Sequence, residues 1–244
     1  MRNGIIDNLE ASIMWCGEET FKECLESVKS QTFKPAHIEI IKDVRPINES
    51  VNARHGKLKK KYSVKVDADM ILDPKCFEVL YKKIVGLGDE YWAVSVMLDD
   101  PFIGKMGGVH IQRSEYIQDI VLPNIMGCDR YLVDLMKRKG FKHLELEEIF
   151  GIHKCDTDPE TVFKRHLRMG QKHSRFKSVR HEDWIKNIGH KWLDKNDTWA
   201  FIALVGYCLG LTKPGFTEKD KYFGSIEWGQ IKELIDAKVV PCIE

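Results

Sequence analysis

Residues 62–69 read Tyr-Ser-Val-Lys-Val-Asp-Ala-Asp, an apolar run that ends in two carboxylates. The first five residues are typical of a buried strand, so Asp67 and Asp69 lie where that strand stops. Mg2+ and Mn2+ prefer oxygen ligands and keep open positions for water or substrate phosphate. We therefore interpret this Asp-x-Asp as a candidate site for a divalent ion and a diphosphate. The structural alternative is a capped strand end, with Asp69 or Asp73 starting the next helix.

Strand and helix signals alternate on both sides of this run. The pattern predicts strands at 12–15, 37–41 and 62–66, separated by helices at 19–30, 50–61 and 74–85. Strands joined by helical crossovers form a mostly parallel sheet, and such sheets bind ligands outside the carboxyl ends of their strands. Asp43 follows the second strand, so we expect it at the same sheet edge as Asp67 and Asp69. The sequence thus predicts an α/β fold with a mostly parallel central sheet flanked by helices.

The second half of the chain changes from strands to helices. The pattern predicts strands at 91–98 and 109–112 and a helix at 129–139, after which residues 143–151 lead to His153. Further on it favours helices at 159–169 and 199–211 and an amphipathic segment at 228–237, around a polar stretch at 174–187. We therefore expect an α/β domain over 1–155 and a mainly helical region over 156–244.

Composition is that of a soluble globular protein. The 244 residues are 43% hydrophobic and 31% charged with a formal net charge of +1, which gives no global attraction to a polyanion. The seven cysteines are scattered without a Cys-x-x-Cys spacing, which argues against a disulfide framework or a zinc ribbon. Residues 1–11 lack the apolar stretch of a signal peptide. We therefore expect a cytoplasmic protein.

One uncharged segment, residues 199–211, bears on membrane attachment. It is too short to span a bilayer comfortably, so we expect a buried helix that is capped by Asp197 or Thr198. Peripheral attachment to a membrane stays open.

Three segments of the first half resemble family-2 nucleotide-sugar glycosyltransferases, which have the GT-A fold. They are Glu-Cys-Leu-Glu-Ser-Val-Lys-Ser-Gln-Thr-Phe-Lys-Pro at 23–35, residues 52–61 after the strand that ends in Asp43, and Val-Asp-Ala-Asp-Met-Ile-Leu-Asp-Pro at 66–74. A weaker match runs from Cys128-Asp129 through Lys-Gly-Phe-Lys at 139–142 to His153. This part is similar to the family's Glu-Asp, helix, Gly-aromatic-Lys, strand, His pattern, with Cys128 where the family has Glu.

The resemblance implies the transfer of a sugar from a nucleotide diphosphate sugar. In this chemistry negative charge grows on the departing diphosphate, and a bound Mn2+ or Mg2+ stabilises it. The implied metal ligands are Asp69, with Asp67 nearby and His153 as a third ligand. The residues expected to bind the nucleotide sugar are Trp15 and Gly17 in the loop 15–18, Asp43 at the base or ribose, and Asp67.

Asp129 is the expected catalytic base. The inverting mechanism common in this family needs a carboxylate that takes the proton from the acceptor hydroxyl as it attacks. The acceptor itself stays open among a glycan, a lipid-linked glycan, a protein and a modified nucleic acid. Two structural alternatives also stay open, because His153 is compatible with an ordinary strand end and Asp129 with the first turn of a helix.

A second charged feature is the segment 164–180, which carries seven Lys or Arg and no Asp or Glu. It forms either a solvated surface or a surface that faces phosphate, from the donor, an anionic lipid or a polyanionic acceptor. Arg168 and Lys172 flank Gly170, which favours a flexible loop that closes on the donor diphosphate. The helical region is accordingly expected on the acceptor side or as a closing element.

Two other functional classes are compatible with the same residues. A haloacid-dehalogenase-like phosphatase also has an Asp-x-Asp after a buried strand, and Asp67 would then form an aspartyl phosphate. That motif normally lies in the first strand, whereas here it follows two strand-helix units. The other class is a nucleotide-sugar-binding module without turnover, which Cys128 in place of the family's Glu keeps open.

Overall fold

A computed structural model describes residues 4–125, 127–154, 158–176, 181–195, 197–212 and 233. The chain divides into two compact units, Met1–Cys155 and Asp156–Glu244.

The first unit is built on a seven-stranded sheet with the order β2-β1-β3-β6-β5-β7-β4. Strands β1, β2, β3, β5 and β7 run in one direction, while β6 and β4 run in the opposite direction. The sheet is therefore mostly parallel, as the sequence predicts. The strands are β1 Ile5–Trp15, β2 Lys34–Lys42, β3 Tyr62–Asp67, β4 Met70–Leu72, β5 Tyr91–Asp100, β6 Gly104–Arg113 and β7 Lys142–His153.

Helices cover both faces of this sheet. Because successive strand residues point to opposite faces, Val64 and Val66 of β3 pack on one face while Lys65 points to the other. The first face packs against α1 and α3, and the second packs against α2 and α4. These helices are α1 Phe21–Lys29, α2 Ile47–His55, α3 Cys76–Val85 and α4 Cys128–Arg138.

Several elements of the first unit differ from the sequence prediction: β1 begins at Ile5 rather than 12 and β6 at Gly104 rather than 109, and α2 and β4 also differ. Helix α2 ends at His55, whereas helical periodicity extends it to residue 61. The following backbone turns away because Oε1 of the buried Glu10 accepts hydrogen bonds from the N–H groups of Lys59 and Lys60 at 2.8 and 2.9 Å. The short strand β4 was not predicted, since three residues carry no periodic signal.

The second unit is helical in its described part. It contains α5 Pro159–Phe176, α6 His181–Lys195 and α7 Thr198–Thr212. Oδ1 of Asp197 accepts hydrogen bonds from the N–H groups of Trp199 and Ala200, which confirms the expected cap of α7. Among the described residues, no helix is long and apolar enough to cross a membrane. The predicted amphipathic segment at 228–237 lies outside the described residues.

The loop expected around Gly170 is wrong, because this glycine lies inside α5. A Cβ atom at Gly170 would lie 2.2 Å from the carbonyl oxygen of Tyr207 on α7. A Cβ at Gly210 of α7 would likewise lie 2.1 Å from the carbonyl oxygen of Leu167 on α5. Glycine is needed here for the close approach of two helices rather than for flexibility. The stretch predicted as polar at 174–187 also contains the end of α5 and the start of α6.

Buried histidines of the first unit predict a loss of stability in acid. Burial lowers the pKa of His55 to about 4 and that of His110 to about 3. Both stay neutral in the folded protein, whereas in the unfolded chain they take up a proton near pH 6.5. The unfolded state thus binds more protons below that pH, and stability falls from pH 6.5 towards pH 4.

Urea unfolding at pH 7, 6 and 5 measures this effect. We expect the free energy of unfolding to fall, and the fall to be smaller in His55→Gln than in wild type. Equal slopes for wild type and His55→Gln would show that His55 does not contribute.

Candidate functional site

The carboxyl ends of β1, β2 and β3 lie at one edge of the sheet. Met14 of β1 is paired with Ile41 of β2 on one side and with Asp67 of β3 on the other. Asp43 follows one residue beyond β2, and its N–H donates to the carbonyl of Trp15 at 2.9 Å. The structure therefore brings Trp15, Asp43 and Asp67 to the same edge.

The loop after β1 is held in place beside Asp43. The Trp15 ring stacks on Phe21 with centroids 4.5 Å apart. Gly17 has φ +105°, which side-chain-bearing residues rarely adopt, and a Cβ there would meet no atom within 4 Å. The Arg45 guanidinium donates to the carbonyl of Cys16 at 2.7 Å and so joins this loop to the segment after β2. The two loops form an ordered border at the sheet edge.

The carboxylate of Asp67 is paired with a lysine of its own strand. Its Oδ1 lies 2.5 Å from the ammonium of Lys65, and the two side chains are 34% and 22% exposed. Residues two apart in a strand point to the same face, so this pair lies on the face covered by α2 and α4. The negative charge of Asp67 is therefore balanced by Lys65.

Asp69 lies in the turn between β3 and β4 and faces His153. The antiparallel ladder of β4 and β7 places Met70 opposite His153, and the N–H of Lys154 donates to the carbonyl of Asp69 at 2.6 Å. Nε2 of His153 lies 3.3 Å from Oδ2 of Asp69, with the two side chains 12% and 22% exposed. Two residues that are distant in sequence therefore meet at the predicted site.

Asp100, at the end of β5, also contacts His153 and was not among the predicted site residues. Its Oδ2 lies 3.0 Å from Nδ1 of His153, and its side chain is fully buried. The available signal was the acid pair Asp99-Asp100, which follows an apolar strand as Asp67 does. The strand predicted at 91–98 ends before this pair, whereas β5 extends to Asp100.

The residues at this edge fit a divalent ion with two protein ligands. Among the described residues, no group of three His, Cys, Asp or Glu side chains is arranged to hold a metal. The oxygen of Asp69 and the nitrogen of His153 nevertheless lie 3.3 Å apart, close to the roughly 3 Å between adjacent ligands of an octahedral ion. Mg2+ commonly binds through one or two carboxylates plus phosphate and water. A direct part of Asp67 in metal binding stays a prediction, since the structure pairs it with Lys65.

Asp129 is an exposed residue in the first turn of α4. The N-cap of this helix is Gly127, so Asp129 does not serve as the cap. Its charge acts on His110 of β6, where it opposes the lowering of the His110 pKa by burial. His110 is paired with Lys65 in the sheet, and paired residues share a face. Asp129 therefore lies on the same side of the sheet as the Lys65 and Asp67 pair.

Cys128 is not part of the exposed surface. Its side chain is 3% exposed and belongs to the apolar cluster that contains Leu132 and Met136 of α4. The departure from the family's Glu is thus a core substitution in this structure, next to an exposed Asp129.

Arg168 and Lys172 lie on α5 in the second unit, and both are partly buried. They are four residues apart on the helix and so share a side of it. Their predicted contact with a diphosphate stays a prediction.

Structural comparison relates the chain to solved glycosyltransferases. The mannosyltransferase PcManGT from Pyrobaculum calidifontis, solved with GDP-Man and Mn2+, has a TM-score of 0.55 at 10% identity, over 94% of this chain and 79% of its own. TarS from S. aureus has a TM-score of 0.51 at 9% identity, over 82% of this chain and 89% of its own. No protein-family model and no curated protein sequence matches the chain. These likenesses show a GT-A-like fold and confirm the fold that the sequence resemblance implies.

Proposed function

We propose that the protein is a metal-dependent glycosyltransferase that uses a nucleotide diphosphate sugar. The observation that carries the proposal is the approach of Asp69 to His153 at the carboxyl edge of a GT-A-like sheet. One oxygen and one nitrogen ligand face each other there, beside two ordered loops that border Asp43. The mannosyltransferase with a similar fold was solved with GDP-Man and Mn2+, which supports this class of donor and ion.

The donor would bind along the edge formed by the first three strands. Asp43 would accept hydrogen bonds from the base or ribose, and Trp15 and Gly17 would border the nucleotide. Asp69 and His153 would hold Mn2+ or Mg2+, which would neutralise the charge that develops on the departing diphosphate. Asp67, held by Lys65, would present its second oxygen to the nucleotide sugar.

Asp129 would act as the general base on the acceptor hydroxyl. Its exposed position in the first turn of α4 leaves room for an acceptor on this side of the sheet. The carboxylate would take the hydroxyl proton as the oxygen attacks the anomeric carbon, which would give inversion. The acceptor would carry the attacking hydroxyl and would be a glycan, a lipid-linked glycan, a protein or a modified nucleic acid.

The phosphatase alternative receives no support from the fold. The Asp-x-Asp motif of such phosphatases normally lies in the first strand, whereas Asp67 ends β3, the third strand along the chain. The binding-module alternative depended on Cys128, and that side chain is buried beneath an exposed Asp129. Turnover of a nucleotide sugar is therefore the function we test.

A thermal-shift panel tests the donor class. Nucleotide sugars and bare nucleotides are each added with Mn2+, Mg2+ or EDTA, and the unfolding temperature is recorded. Ligand that binds only the native state raises stability by about 2.7 kcal/mol at a concentration of 100 Kd. We expect one nucleoside diphosphate series to raise the unfolding temperature with metal and to lose most of that rise in EDTA. The absence of any metal-dependent shift on folded protein would contradict the proposed function.

A further inference from the structure

We propose that Asp100 is a positioning residue that fixes the tautomer of His153 and so prepares Nε2 of that ring to bind the metal. The inference rests on the proposed function, because it concerns the ligand pair of Asp69 and His153. It assigns a role to a buried carboxylate that the sequence did not single out.

The turn after β5 holds the Asp100 carboxylate in one orientation. Oδ1 accepts hydrogen bonds from the backbone N–H groups of Phe102 and Ile103 at 2.9 and 3.1 Å. Oδ2 is directed at the ring of His153, 3.0 Å from Nδ1, in a location with no solvent exposure. Oδ1 thus holds the turn and Oδ2 contacts the ring, so rotation of the carboxylate would break the turn.

This orientation determines which nitrogen of His153 carries the proton. A carboxylate only accepts hydrogen bonds, so the nitrogen that faces Asp100 is the donor, Nδ1–H. In the neutral ring Nε2 then presents a lone pair, and it lies 3.3 Å from Oδ2 of Asp69. Two acceptors at this separation can serve as neighbouring ligands of one metal ion. Histidines that bind metals commonly donate their other N–H to a carboxylate, and that partner orients the ring.

Asp100→Asn tests the tautomer while keeping the turn. The amide oxygen still accepts from Phe102 and Ile103, but the amide NH2 replaces Oδ2 and is directed at Nδ1 of His153. Two donors cannot face each other, so the neutral ring moves its proton to Nε2. That N–H then points at Asp69 and occupies the lone pair that the metal needs. The variant should therefore fold and lose metal affinity.

The measurement is a titration with Mn2+ followed by the EPR signal of the free ion. It is done on the whole chain, with Mn2+ alone and with Mn2+ plus the nucleoside diphosphate chosen by the thermal-shift panel. We expect Asp100→Asn to bind Mn2+ about 10- to 100-fold more weakly than wild type, the range for loss of an outer-shell partner. Asp99→Asn, one residue earlier and exposed, is the matched control and should bind as wild type does.

NMR of the wild-type protein gives a second readout that needs no stable variant. In the metal-free protein, at a pH where the ring is neutral, the nitrogen-15 signals of His153, assigned by comparison with His153→Gln, should show a protonated Nδ1 and an unprotonated Nε2. A protonated Nε2 in that state would overturn the inference, whatever the fate of Asp100→Asn.

The outcomes separate this inference from the proposed function. If wild type binds Mn2+ and folded Asp100→Asn binds it equally well, the positioning role of Asp100 is wrong and the proposed function stands. If wild type binds no Mn2+ with any nucleoside diphosphate, both are wrong. A weaker Mn2+ complex in Asp100→Asn, with Asp99→Asn unchanged and a protonated Nδ1 in wild type, supports the assignment.

Discussion

Asp69→Asn is expected to abolish the metal-dependent part of donor binding and leave the fold intact. Asp69 lies in a turn at the sheet edge, and its carboxylate faces His153 rather than the apolar core. The amide of Asn has nearly the same shape but carries no charge, so it is a much weaker ligand for Mn2+ or Mg2+. The loss should exceed the roughly 10- to 100-fold cost of removing an outer-shell partner.

The measurement is the thermal-shift panel repeated with this variant. We expect the response of Asp69→Asn with Mn2+ to equal that of wild type in EDTA, since both lack a bound ion. Asp73→Asn is the control, because Asp73 is exposed and its Oδ1 accepts from the N–H of Lys75, which an Asn can also do. A full Mn2+-dependent shift in Asp69→Asn would remove the metal assignment from this residue.

The sheet edge could be predicted because strand ends are local signals. Asp43 and Asp67 each follow an apolar run, and short helical crossovers require those strands to be parallel. Their alignment at one edge follows from these two facts alone. The parallel direction of β1, β2 and β3 is therefore contained in about the first 70 residues, whereas their order, β2-β1-β3, comes from the structure.

The approach of His153 to Asp69 could not be predicted from residue spacing. It depends on the antiparallel pairing of β7 with β4, a strand of three residues without a periodic signal. Only the family resemblance pointed to His153. Asp100 was missed for a similar reason, since its role appears only when β5 and β7 lie side by side and bring its carboxylate to the ring.

At Gly170 a local signal predicts the wrong structure, because the glycine lies inside α5. A glycine between two basic residues is typical of a flexible loop, but helix α7 approaches α5 so closely that a Cβ at this position would collide with the carbonyl of Tyr207. A Cβ at Gly210 of α7 would likewise collide with the carbonyl oxygen of Leu167 on α5. Sequence periodicity within α5 gave no information about the helix that packs on it.

Charge balance at the site follows from the same geometry. Lys65 and Asp67 are two residues apart in β3, so their side chains share a face and form a close ion pair. Asp69 lies two residues further on, in the turn after the strand, and faces His153 instead. The two carboxylates of the Asp-x-Asp therefore differ: Asp67 is neutralised by Lys65, whereas Asp69 faces His153.

Asp129→Asn is expected to leave donor affinity near that of wild type and to reduce turnover by about 100- to 10,000-fold, the usual contribution of a general base. The side chain is exposed in the first turn of α4, so the substitution removes a proton acceptor without opening the core. Release of nucleoside diphosphate, with water or an acceptor hydroxyl as nucleophile, measures turnover, and the thermal-shift panel measures donor binding. Asp134→Asn, an exposed position on the same helix, should retain both.

The pattern of losses in Asp129→Asn separates three explanations. A fall in turnover with unchanged donor binding places the base at Asp129. Equal loss of turnover and donor binding makes Asp129 a structural residue, and full turnover places the base elsewhere. If wild type itself binds the nucleotide sugar with metal yet releases no nucleoside diphosphate, the chain is a binding module. Asp129, next to the buried Cys128, then does not act as a general base.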